Sequence, residues 1–204
     1  MKTLTKLCTL LAITLSLNLV AQSTVQTAFN TSYERESKGD YIGSIKILTD
    51  SYDATSYFMN YRLGWLNYAN KNYDESIKYY QKATNLLPNS TEVLWAILNP
   101  LVAKANWTEV DKTYSEILKL DPKNSVANYQ VGLNYYYRKN YNEAKKYFDV
   151  ALSLYPYDYS TALMSAWNTY FLGNKTEAIN LFNRVLTMYP TDASALEGIG
   201  LCKK

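Results

Sequence analysis

Four of the chain's five prolines, Pro88, Pro122, Pro156 and Pro190, stand thirty-four residues apart. Two further columns keep the same step: Asn72, Asn106, Asn140, Asn174, and Glu75, Glu109, Glu143, Glu177. Three columns at one period mark a stack of repeated units, each unable to bury its apolar face alone. Asn followed three residues later by Glu is the pattern of a capping box, so each Asn is expected to open a helix with the Glu reaching back to the cap. About sixteen residues later the proline forbids continuation. Ser90, Ser125, Asp158 and Asp192 then stand where the next helix should be capped.

The apolar spacing agrees. Ile77, Tyr80, Ala83, Leu87 and Ala144, Phe148, Ala151, Leu154 follow a three-and-four rhythm. Small residues fall where two helices must approach closely: Gly64 and Gly132 in first helices, Ser76, Ala144 and Ala178 in second ones. This register predicts that Gly132 faces Ala144, and that Lys145 lies on the outward face.

These columns resemble the tetratricopeptide repeat. The fullest match is Val131-Gly132, Tyr135, Tyr141, Ala144, Phe148, Ala151 and Pro156. Next comes Leu63-Gly64, Tyr73, Tyr80, Ala83 and Pro88, then Gly173, Ala178, Phe182 and Pro190. The resemblance implies an all-α, right-handed α-solenoid of stacked antiparallel helix pairs, about five repeats plus a C-terminal capping helix. Full repeats fall at 57–90, 91–124, 125–158 and 159–192. A degenerate repeat at 25–56 keeps Gly39-Asp40-Tyr41 and Ser44 in register but runs two residues short, and 193–204 forms the capping helix. The 91–124 repeat departs from the pattern. Leu98 fills the glycine column, Val110 and Ile117 replace small residues, and Pro100 lies inside the first helix, where it is expected to bend it. Drift in a tolerant fold and a bend that widens a surface near Asn99 are both consistent with this.

Residues 1–21 read as a signal peptide: a basic start at Lys2 and Lys6, an apolar run from Leu7 to Val20 with polar breaks, and a cut at Ala21-Gln22. The run is too short and too polar for a membrane span, so no integral membrane segment is expected after cleavage. Cys8 precedes most of the run, which argues against a lipid anchor. The chain is therefore expected to be exported, to the periplasm or beyond. Removal of the leader leaves 19 basic against 18 acidic residues, since Lys2 and Lys6 come off the full 21. That balance shows no phosphate-tracking patch and excludes nucleic acid as a partner. The chain has no histidine, and the remaining Cys202 has no internal disulfide partner. No cofactor, metal or catalytic residue is assigned, and the chain is read as a binding protein rather than an enzyme.

In the family, the first helices line a concave groove, and inward residues recur at i, i+3, i+7 and i+10. Carried onto this sequence, the resemblance implies a groove of Phe58, Tyr61, Trp65 and Tyr68, then Trp95 and Asn99, then Tyr129 and Tyr136, then Trp167 and Tyr170. Glu92, Val102, Val126, Leu133, Ser160 and Leu163 complete the same positions. Some family members hold a C-terminal carboxylate with inward basic residues and asparagines; here only Asn99 resembles such a clamp. Three of the four tryptophans share this stripe, whereas Trp107 shares the column of Tyr73 and Tyr141 and is expected to pack between helices. An aromatic groove of this kind suits an extended or helical peptide segment of a protein partner. A glycan stacked on the same rings is the alternative.

Overall fold

The structure, a computed structural model, describes residues 24–204. The leader, Cys8 and the cut at Gln22 lie outside the described residues. Within them the chain is all-helical, with eleven helices in chain order. Helix α1 runs through 24–36. It is followed by α2 (Tyr41–Asp50), α3 (Tyr57–Ala69), α4 (Tyr73–Leu86), α5 (Thr91–Ala103) and α6 (Trp107–Leu120). Then come α7 (Ser125–Tyr137), α8 (Tyr141–Leu154), α9 (Tyr159–Phe171), α10 (Lys175–Met188) and α11 (Ala193–Cys202). The chain divides into two compact units, one ending at Ala105 and the other spanning Asn106–Lys204. The boundary falls inside the 91–124 repeat, between α5 and α6. Within each unit helix pairs stack on their neighbours in chain order, so α3 packs on α4 and both touch α5, while α9 packs on α10 and both touch α11. The fold is an α-solenoid.

The repeat period is written into the helix ends. Asn106, Asn140 and Asn174 accept from the backbone N–H of the Glu three residues on, at 3.4, 3.4 and 3.2 Å. The Glu reaches back to the cap at Asn174, whose side-chain amide donates to Glu177 at 2.7 Å, but it takes the backbone N–H of neither Asn140 nor Asn174. Their own N–H groups are already taken by the carbonyls of Tyr135 and Thr169 in the preceding helix. Asn72 caps its helix without a side-chain bond. The cap of α7 is Asn124, whose side chain accepts from Ala127, so Ser125 is the first helical residue and not the cap. The residue before each repeat's Asn is left-handed: Lys71, Ala105 and Lys139 at φ 53–63°, and Gly173 at 82°. That turn reverses the chain within five residues, and glycine alone adopts it without steric cost.

Helix pairs close on their small residues. Ser76 donates to the Gly64 carbonyl at 2.7 Å, and Ser44 to that of Ser32 at 2.6 Å, which places the degenerate first repeat in the same geometry. The ring of Tyr80 lies against Gly64, and that of Phe148 against Gly132. Gly132 is covered by the Phe148 ring, and in the equivalent pair Ser76, of the Ala144 column, reaches the Gly64 carbonyl. Lys145 is not a free outward residue: it bridges Asp149 on its own helix and Glu177 on α10, both at 3.1 Å. Lys146 is the outward lysine, paired with Glu143 on the solvent face. Pro100 is buried inside an uninterrupted α5. In unit one, Phe29, Leu48, Met59, Leu63 and Leu66 form a core cluster. In unit two, Phe182 and Val185 join Leu152, Cys202 and the four alanines Ala162, Ala166, Ala178 and Ala195.

A Cβ on Gly132 would stand 2.7 Å from the Phe148 ring, whereas one on Gly200, on the open side of α11, would meet nothing. Gly132→Ala is expected to destabilise the fold by ~1–3 kcal/mol through overpacking. Gly200→Ala is expected to stabilise it by ~0.5–1 kcal/mol by restricting the unfolded chain. Urea unfolding of the two variants checks both signs.

Candidate functional site

The predicted stripe is divided between the two units. In unit one, Tyr61, Trp65 and Tyr68 from α3 meet Trp95 and Asn99 from α5 around one open groove of about 560 Å³. Glu92 and Ala96 of α5 and Tyr80 of α4 complete its lining. The rings hold one another in place. Tyr61 meets Tyr80 edge-on at 5.6 Å, Trp65 leans on Tyr68 at 6.1 Å, and Tyr68 continues to Tyr73 at 6.0 Å. Tyr61 also stacks on Tyr57 at 6.1 Å. Trp65, Tyr68 and Trp95 are each half-buried, while Asn99 is exposed at the rim. The groove has room because α5 offers only a methyl group at Ala96. In unit two the same column holds Gln130 and Met164.

One carboxylate enters this groove. The Tyr57 hydroxyl donates to Glu92 at 3.0 Å and shares a 2.9 Å bond with Ser90, the cap of α5. Burial raises the Tyr57 hydroxyl above the usual phenol range, and its bond to Glu92 adds to the rise against the opposing effect of Ser90. Burial, then the Glu92 charge, does the same for Tyr61, and burial raises Tyr80 further. These hydroxyls therefore stay protonated at neutral pH and serve as neutral donors.

Phe58 does not join the groove. It is about half exposed, with its ring 5.2 Å from Phe29 of α1. In unit two, Tyr129 packs against Phe148 at 6.2 Å and lines a separate hollow of about 140 Å³ with Val126, Tyr155 and Asp158. Tyr136, Trp167 and Tyr170 come together in an aromatic cluster centred on Phe171, which stacks on Tyr141 at 5.0 Å. Trp167 meets Phe182 edge-on at 5.1 Å and donates its indole N–H to Ser194 at 2.9 Å. It is thus part of the packing of unit two, and so are Tyr136 and Tyr170. Sequence reasoning missed Phe171 and Tyr137, which lie one position past the inward column, at the ends of α9 and α7. A run of adjacent aromatics at 135–137 and 170–171 was the available signal.

Trp107 is 57% exposed, contrary to the packing expected of it. Tyr73 and Tyr141 in its column are held by Tyr68 and Tyr136 of the preceding helix.

Tetratricopeptide-repeat family models match residues 59–90 and 125–158, and a second such model matches 161–192. The chain belongs to the tetratricopeptide repeat family, whose fold serves as a protein–protein interaction scaffold and is generally non-enzymatic. Several solved structures share its fold. A tetratricopeptide repeat protein from Parabacteroides merdae ATCC 43184 is 20% identical with a TM-score of 0.70, over 88% of this chain and 72% of that one. MamA protein is 17% identical with a TM-score of 0.68, over 84% of this chain and 95% of that one. YrrB, a TPR protein with an unusual peptide-binding site, is 13% identical with a TM-score of 0.67, over 86% of this chain and 92% of that one. No curated protein matches the sequence. At these identities the likenesses speak for the fold alone. Among the described residues no helix is long and apolar enough to cross a membrane, and no group of three His, Cys, Asp or Glu is placed to hold a metal ion.

Four variants that each retain a single tryptophan rank the indoles directly. Acrylamide is expected to quench Trp107 most strongly, ahead of Trp65, Trp95 and Trp167. Trp167→Ala is expected to cost ~3 kcal/mol of stability because its ring fills space against Phe182, and Trp107→Ala less than about 0.5 kcal/mol.

Proposed function

We propose that this protein is a non-enzymatic scaffold of the cell envelope that holds an extended or helical peptide segment of a protein partner in the groove of unit one. The observation that carries the reading is the convergence of Tyr61, Trp65, Tyr68 and Trp95 from two first helices on one open groove. Half-buried aromatic rings around a concavity are the usual anchors of protein contacts, since docking removes their remaining surface from water at little further entropy cost. Asn99 at the rim and the neutral tyrosine hydroxyls supply the hydrogen bonds that set register. The groove has one carboxylate, Glu92, with no second acid, thiol or amine beside it, so its chemistry is that of recognition. That YrrB has a peptide-binding site on the same fold is in keeping with this reading.

Panels of arrayed peptides and glycans offered to the full chain test it. Peptide binding is expected, and Trp65→Ala or Trp95→Ala is expected to weaken it by ~2 kcal/mol or more. Ala96→Met is expected to block the groove while leaving the fold intact, and Trp107→Ala to leave binding unchanged. Glycan binding without peptide binding contradicts the proposal.

Export is part of the same proposal and rests on residues 1–21 alone. Intact-mass measurement of the protein recovered from the envelope fraction is expected to give a chain that starts at Gln22. A full-length cytoplasmic product contradicts it.

A further inference from the structure

We infer that the segment bound by the groove presents a basic side chain, arginine above all, whose cation stacks on the ring faces at the Glu92 end of the groove with its charge directed at Glu92. The inference deepens the peptide-groove reading and rests on it. Its first support is charge complementarity. Glu92 is the one charged side chain that lines the groove. Its only hydrogen-bond donor among the described residues is the neutral Tyr57 hydroxyl, at 3.0 Å, and no lysine or arginine pairs with it. Tyr57 is in turn fixed by Ser90. The carboxylate is therefore positioned but not neutralised.

The helices that wall the groove do not supply the missing cation. Helix α5 contains no basic residue, and Lys104 just beyond it pairs with Asp74. The one basic residue of α3, Arg62, is 5% exposed and turned toward Glu36 and Tyr33. On α4, Lys78 pairs with Glu75, and Lys82 reaches the Tyr52 hydroxyl at 3.0 Å. A partner's cation would meet electron-rich ring faces backed by a fixed negative charge, the setting in which a cation–π contact is strongest.

Arg62 is satisfied by a ring and a carboxylate together, and Lys82 by rings. The Arg62 guanidinium lies 4.2 Å from the centroid of Tyr33 and pairs with the Glu36 carboxylate, and the Lys82 ammonium sits within 5.0 Å of the Tyr52 and Tyr79 rings. The groove offers the same combination of ring and carboxylate with the cation left for a partner to provide. A planar guanidinium suits the indole faces of Trp65 and Trp95 better than an ammonium does. An acidic segment or a free C-terminal carboxylate is disfavoured by Glu92.

Short peptides with both ends blocked, Gly-Ser-Leu-X-Leu-Ser-Gly with X as arginine, norleucine or glutamate, test this against the full chain by tryptophan fluorescence and calorimetry. The arginine peptide is expected to bind ~10-fold more tightly than the norleucine peptide, and the glutamate peptide more weakly than either. Glu92→Gln is expected to remove most of the arginine peptide's advantage over the norleucine peptide, leaving the part that the ring faces supply. Equal binding of arginine and norleucine overturns the inference while the groove reading stands. Failure of all three peptides to bind overturns the inference and counts against the groove as well.

Discussion

The seating of an aromatic ring against a residue with no side chain holds the helix pairs of the 57–90 and 125–158 repeats together. Tyr80 lies under Gly64 and Phe148 under Gly132, with each ring almost wholly buried. The ring keeps its full contact area while the backbones approach closely enough for Ser76 to reach the Gly64 carbonyl. Dispersion contacts at such density outweigh any single polar bond in the pair. In the 91–124 repeat Leu98 stands in the glycine column, and the boundary between the two compact units falls in that repeat.

In unit one the same ring serves the site. Tyr80 closes α3 on α4 and also forms the floor of the groove, with Tyr61 edge-on against it. The groove is thus a by-product of repeat packing, enlarged where α5 presents Ala96. Helix pairing and partner recognition share a residue, so changes to the pairing should be felt in the groove. In unit two the equivalent stripe is spent on internal contacts. Trp167 is held by Phe182 and Ser194, and Tyr136 by Tyr141 and Phe171.

The helix order, the all-α fold and the small-residue columns were legible because each is imposed by local chemistry: an Asn cap, a proline stop, a small residue where two helices approach closely. Tyr61, Trp65, Tyr68, Trp95 and Asn99 were singled out by the family resemblance, which supplies the inward positions, and these five line one groove. Register does not say what covers a face. Trp107 shares a column with Tyr73 and Tyr141, which are held by Tyr68 and Tyr136, yet it is largely exposed. Lys145 looked outward until Glu177 of the next pair came within reach. The left-handed column was hidden for a different reason. Gly39 and Gly173 spell it, but Lys71, Ala105 and Lys139 adopt it against their own preference, driven by the turn they must make.

In the 57–90 repeat a ring packed on a bare backbone sets both the helix pair and the groove floor. A double-mutant cycle on Gly64→Ala and Tyr80→Leu, followed by urea unfolding, measures this most directly. Leucine at position 80 gives the new methyl group room, so the account predicts a coupling of ~1 kcal/mol or more, with Gly64→Ala costing much less in the Tyr80→Leu background. Additivity within about 0.5 kcal/mol would show that the two residues do not depend on each other, and would contradict it.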